Sequence, residues 1–251
     1  VNVLQKLIRV TIDEGLMGAA RRIAEYMAWR ARLLARINLN EKFRVFIDRR
    51  FDRKYGVDTS GLIGVKGLDV TSEQKDSGIH YEPTPVPALR AILDSLPVDH
   101  SKFTFIDYGS GKGRVLLLAS EYPYQRIIGV EFANSLHTIA RANIARWNSR
   151  KQKCADIASV CMDARDFQLP DDPLVIFFFT PFLSPVIDRV VENIQESFRI
   201  KPRPIRIVYY GTNEKFMGLL SKLGFSRREI YSKRPFSALK HYKGHLFSSS
   251  Q

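Results

Sequence analysis

Apolar positions along the chain change their spacing twice. In GLMGAARRIAEYMAWRARLLARI (residues 15–37), Leu16, Ala20, Ile23, Met27 and Leu34 recur at helical intervals. Arg21, Arg22, Arg32 and Arg36 lie between them. The spacing predicts helices as far as about residue 55. A stretch with glycines and few periodic apolar residues follows, RRFDRKYGVDTSGLIGVKGLDV (residues 49–70), which reads as a loop-rich connector.

From residue 78 the texture alternates between strand and helix. YEPTPVPALRAILDSLP is a proline-rich turn leading into a helix of about three turns. FTFIDYG, RIIGVEF, IASVCMDA, PLVIFFFT and IRIVYYG read as strands. GRVLLLASEY, SLHTIARANIARWN, SPVIDRVVENIQESF and NEKFMGLLSKLG read as helices. FSRREIYS and LKHYKGHLFSS add two strands, paired as in a hairpin. Near-continuous apolar strands between amphipathic helices predict a mostly parallel sheet covered on both faces. The expected division is a helical extension with its connector over residues 1–77 and an α/β domain over residues 78–251.

Composition narrows the partners. The chain has 251 residues, 45% of them hydrophobic, and a formal net charge of +13. That balance favours acidic partners, such as nucleic acid, an anionic membrane surface or an acidic protein, without choosing among them. Cys154 and Cys161 offer neither a disulfide framework nor zinc spacing, and the five histidines have no metal-ligand spacing, so no metal is expected. A reducing, cytoplasmic setting fits. LVIFFFTPFL is too short to span a bilayer, and Asp13 and Glu14 interrupt any apolar region of a signal peptide. The basic amphipathic stripe is compatible with peripheral membrane contact, but packing on the parent domain is the favoured reading.

The candidate chemistry centres on FIDYGSGKGR, residues 105–114. A phosphate-binding P-loop requires glycine where Ile106 stands and Ser or Thr where Gly113 stands. The dinucleotide pattern requires its third glycine where Arg114 stands. Asp107, at the end of the strand, points over the edge of the sheet where open α/β folds bind ligands. A carboxylate there suits a cationic or hydrogen-bond-donating ligand rather than a pyrophosphate. The glycines let such a ligand approach the backbone.

Acid-x-Gly-x-Gly-x-Gly after an apolar strand, followed by Glu131 ending the next strand and Asp163 ending the third, resembles the class I S-adenosylmethionine (SAM)-dependent methyltransferases. The match runs from about residue 78 to 251. The chain looks closest to small bacterial members, and distantly resembles the non-SET protein-lysine methyltransferases. The resemblance implies a Rossmann-like α/β fold with a mostly parallel seven-stranded sheet, preceded here by the helical extension. It implies SAM as cofactor and S-adenosylhomocysteine (SAH) as product. The implied cofactor residues are Asp107, Gly109, Ser110, Gly111 and Gly113 in the loop. Glu131 would hold the ribose hydroxyls, with Phe132 against adenine. Asp163 and Ala164 would lie at the adenine amino group. Glu82 and Thr84 belong to the YEPTP turn, whose Tyr81 would close over the methionine end. Thr180, Pro181 and Phe182, after the fourth strand, would line the acceptor pocket with Tyr81.

FFFTPF departs from the Asp/Asn-Pro-Pro-aromatic pattern of enzymes that methylate nucleobase amines, because Thr180 replaces the amide. The leading expectation is therefore methyl transfer to a nitrogen on a protein, a lysine first. RNA methylation is the alternative favoured by charge. A scaffold protein that has lost catalysis is the third, against which the intact acids and glycines count.

Overall fold

The protein is described by a computed structural model covering residues 24, 27, 42, 45–64, 69, 80–179, 184–231 and 243–249. Helix α1 includes residues 45–55, and α2 is Val86–Asp94. There follow β1 (Thr104–Tyr108), α3 (Arg114–Ala119), β2 (Arg126–Glu131), α4 (Asn134–Arg146) and β3 (Ile157–Cys161). The chain continues through β4 (Leu174–Phe178), α5 (Val186–Ile200), β5 (Ile205–Gly211), α6 (Glu214–Ser221), β6 (Ser226–Tyr231) and β7 (Lys243–Ser248).

The strands form one sheet in the order β3-β2-β1-β4-β5-β7-β6. β1 to β5 are parallel, and β7 is antiparallel to both β5 and β6. This is the Rossmann-like class I methyltransferase fold, with the expected closing strand pair present as β6 and β7. The chain enters the sheet at β1, proceeds outward to β2 and β3, then returns to the other side of β1 for β4. The reversal opens a crevice at the carboxyl ends of β1 and β4, the general ligand site of such sheets.

Alternation along the buried strands divides the core into two layers. Phe105, Phe177 and Val208 face Leu89, Ile92 and Leu93 of α2 and Leu116 and Leu117 of α3. Ile106, Ile176, Phe178 and Tyr209 face Val190 and Ile194 of α5 and Met217 and Leu220 of α6. Tyr108 stacks parallel to Phe178, with ring centroids 5.2 Å apart.

The helical reading as far as about residue 55 agrees with α1, and the connector reading is corrected at its start, since residues 49–55 continue that helix. The two readings overlapped because the buried stripe of this helix is half acidic. Asp48, Phe51, Asp52 and Tyr55 share one face, and the first three are buried. Phe51 and Tyr55 pack on Trp147, with centroids 6.0 and 4.6 Å away. Of the apolar stripe at residues 16–34, only Met27 is described, and it is exposed. The rest lies outside the described residues.

Candidate active site

The glycine loop leaves β1 at Tyr108 and turns at once. Gly109 and Ser110 donate their amides to the carbonyl of Val130 (2.9 and 3.1 Å), which ties the loop to the neighbouring strand. Gly111 and Gly113 have φ of 53° and 84°, left-handed values that favour glycine. Gly113 then begins α3, where a Cβ would lie 3.2 Å from Cβ of Ala140. A glycine one strand away completes the turn. The side chain of Ser110 rests over Gly129, where any Cβ would lie 2.6 Å from its Oγ.

Three acids stand in a row at the carboxyl ends of adjacent strands. Asp107 is the penultimate residue of β1, Glu131 ends β2, and Asp163 follows β3. Asp107 is 2% exposed, and its Oδ2 has no hydrogen-bond partner among the described residues. Burial lifts its carboxyl well above the usual carboxylate range, and the charge of Glu131 adds to that. Glu131 is 3% exposed. Its Oε2 accepts from the amide of Gly111 (2.7 Å) and its Oε1 from that of Ala133 (3.0 Å). Burial raises it to about 7, against the opposing donation of the Ala133, Gly111 and Phe132 amides. A carboxylate has about four lone-pair directions, so with these three amides donating, about one direction remains for a further donor on Glu131.

Asp163 is differently engaged. Its Oδ1 accepts from the amide of Arg165 (2.9 Å), and its two oxygens take the Arg165 guanidinium at 3.0 and 2.9 Å. Ala164 is buried beside it, and Phe132 is half-buried against the second core layer. An adenine amino group would therefore share Asp163 with Arg165.

Tyr81 comes to the loop from outside the sheet. Its backbone pairs with Ile63 through two hydrogen bonds, of 2.8 and 3.1 Å. Its hydroxyl donates to the carbonyl of Thr59 (2.7 Å), and its ring edge fills the space that a Cβ on Gly111 would need. Burial raises the Tyr81 phenol, which keeps it protonated at neutral pH. Tyr81 is thus a wall and a donor, not a base. Glu82 lies 3.5 Å from Nε2 of exposed His80, and Thr84 is buried. Thr180, Pro181 and Phe182 lie outside the described residues. Phe179 just before them stacks on Tyr210 at 5.3 Å.

The two cations of the loop turn away from the acids. Lys112 Nζ binds Asp58 Oδ1 (2.8 Å) and the carbonyl of Ser60 (2.9 Å). Arg114, 2% exposed, donates from Nε to Thr59 Oγ1 (2.8 Å) and from Nη1 to Asp48, with Asp52 3.7 Å from Nη2. Sequence reasoning missed this set. Its signal was two cations among glycines and three acids, Asp48 and Asp52 of α1 and Asp58 of the connector. No group that could hold a metal ion occurs among the described residues. None of their helices is long and apolar enough to cross a membrane.

No protein-family model matches the chain, and no curated protein does. Solved structures do. A precorrin-6y C5,15-methyltransferase from Geobacter metallireducens is 16% identical, with a TM-score of 0.46, over 65% of this chain and 87% of that one. A TehB-like SAM-dependent methyltransferase from Corynebacterium glutamicum is 13% identical, with a TM-score of 0.46, over 67% and 90%. An RNA methyltransferase from Salinibacter ruber, in complex with SAH, is 17% identical, with a TM-score of 0.44, over 66% and 91%.

Proposed function

We propose that the protein is a SAM-dependent methyltransferase acting on a nitrogen, with a protein lysine as the first acceptor class. The observation that carries the cofactor reading is the separation of charge at the loop. Asp107 and Glu131 stand buried at the carboxyl ends of β1 and β2, while Lys112 and Arg114 are bound to acids of residues 48–58. A phosphate would meet two carboxyls and no free loop cation among the described residues. A ligand that brings an ammonium and ribose hydroxyls would meet acceptors. Oδ2 of Asp107, without a partner among the described residues, and the remaining lone-pair direction of Glu131 fit such a ligand.

When bound, SAM supplies a methyl group on a sulfonium, ready for in-line displacement. The residues of this chain orient the partners and exclude water. Glu131 and the loop amides set the ribose, and Asp107 sets the charge at the carboxyl end of β1. An acceptor amine would have to reach the site unprotonated with its lone pair free, and the chain's part would be to hold it there. Support for an alkyl-stemmed acceptor comes from half-buried Phe179, just past β4, whose ring stacks on the buried Tyr210. Desolvation beside such a ring would lower a lysine pKa and free its lone pair.

One observation favours RNA as a second reading. Arg49, Arg50, Arg53 and Lys54 of α1 are exposed, as are Arg146 at the end of α4 and Arg150 and Lys151 beyond it. The Tyr55–Trp147 contact ties the two segments together. The test is incubation with methyl-labelled SAM and a lysate of the source organism, followed by separate protease and ribonuclease digestion. Protease-labile label supports the lysine reading. Label released by ribonuclease alone replaces it with RNA.

A further inference from the structure

Lys112 and Arg114 do more than avoid the crevice. The ammonium of Lys112 grips Asp58 and the carbonyl of Ser60, on either side of Thr59. Thr59 receives Arg114 at its Oγ1, and its amide donates to Asp52 Oδ2 at 2.9 Å. Asn143 completes the grip. Its Oδ1 accepts from the amide of Asp58 (2.8 Å), and its Nδ2 donates to the carbonyls of Asp58 (2.7 Å) and Lys112 (2.9 Å). The carbonyl of Thr59 then holds the hydroxyl of Tyr81, while Ile63 holds its backbone. Tyr81 and Ile63 pack on Ala133 and Leu136, and the amide of Ala133 belongs to Glu131. The circuit closes on itself: the loop cations place residues 58–60, these place Tyr81, and Tyr81 lies on Gly111 and beside the amides that hold Glu131.

We propose that Lys112 and Arg114 are positioning residues that set residues 57–63 and Tyr81 against the glycine loop as the outer wall of the ribose subsite at Glu131. The proposal rests on the cofactor reading above and extends it to a segment of chain outside the α/β unit. A purely structural tie would not require the contact to fall on Gly111 and Ala133, two of the residues whose amides Glu131 accepts. The two anchors also differ in kind. Arg114 and Asp48 are both buried, so their pair is part of the core. The side chain of Lys112 is 8% exposed but that of Asp58 is 57% exposed, so water screens this pair from one side. Lys112→Met removes the buried charge and leaves Asp58 to water, so the wall can be loosened at less cost than breaking the core pair.

The experiment compares SAH affinity by titration calorimetry for the unmodified chain, Lys112→Met, Asp58→Asn and Lys112→Arg, alongside urea midpoints and amide hydrogen exchange over residues 57–63. Lys112→Met is expected to keep the urea midpoint and Asp58→Asn to lower it slightly, because the buried Lys112 ammonium loses its anion; both are expected to speed exchange at 57–63 and weaken SAH at least tenfold. Lys112→Arg is expected to recover most of the affinity. If Lys112→Met also lowers the midpoint, Asp58→Asn decides. Unchanged affinity in Asp58→Asn overturns the proposal, and tighter binding overturns it by making residues 57–63 an obstruction. Failure of the unmodified chain to bind SAH sinks the cofactor reading, and the wall with it, before any variant is compared.

Discussion

The amide of Gly111 donates to Glu131 Oε2 at 2.7 Å, so the middle glycine of the loop and the acid ending β2 form one unit. A Cβ on Gly111 would strike Tyr81, and Glu131 without Gly111 would lose one of the backbone amides that donate to its carboxyl. A ribose hydroxyl arriving at Glu131 would make a charge-assisted hydrogen bond, contributing on the order of 2 kcal/mol. Glu131→Ala is expected to weaken SAH at least roughly tenfold, and Glu131→Gln by less, because one acceptor oxygen survives. Calorimetric titration of both variants checks the order.

Acidity at the same carboxyl gives a pH prediction. Burial raises Glu131 from 4.5 to about 7 in the folded chain. A carboxyl raised on folding holds its proton more tightly when folded. Its stabilising effect is complete below the unfolded pKa and is lost as pH climbs through the folded value. Without ligand, the chain should lose on the order of 3 kcal/mol from this group between pH 4.5 and 7, and little from it above pH 8. Asp107, raised in the same direction, adds to the loss. Hydroxyl donors favour the ionised form, so SAH should bind roughly tenfold tighter at pH 8 than at pH 6. Melting temperatures and titrations across that range test both signs.

Arg114 gives a stability prediction distinct from binding. It is buried with Asp48 and Asp52, and the Arg114 guanidinium lies 5.4 Å from the Phe51 ring. Arg114→Met would leave two buried carboxylates without their cation, a loss of about 3–5 kcal/mol. Urea unfolding should show it. Adding Asp48→Asn and Asp52→Asn should restore part of that loss, because the uncompensated charge is then gone.

Gly129 is the least conspicuous requirement of the site. In Gly129→Ala the new methyl would lie 2.6 Å from both Ser110 Oγ and Leu116 Cδ1. Overpacking of this kind costs about 1–3 kcal/mol and should displace the loop. A lowered urea midpoint together with weakened SAH binding is the expected pair of results.

What the sequence revealed and what it hid follow from how each feature is encoded. The strands of the sheet are written as continuous apolar runs, and Asp107 and Glu131 stand at their ends beside glycines, so sheet and acids were legible. Gly129 was not, because its partner is Ser110 in a loop distant along the chain. Helix α1 was only half legible, because Asp48 and Asp52 occupy positions where a hydropathy pattern looks for apolar residues. Their partner Arg114 is 66 and 62 positions away. Asp163 was readable as a strand-end acid, but not as the partner of Arg165. Lys112 was conspicuous, yet its direction is a property of the folded chain alone.

Titration of the unmodified 251-residue chain with SAH at pH 8 tests the central claim most directly. The account predicts saturable heat for one site per chain, at least tenfold weaker in Glu131→Ala. No heat up to millimolar ligand, or equal binding by Glu131→Ala, would contradict it.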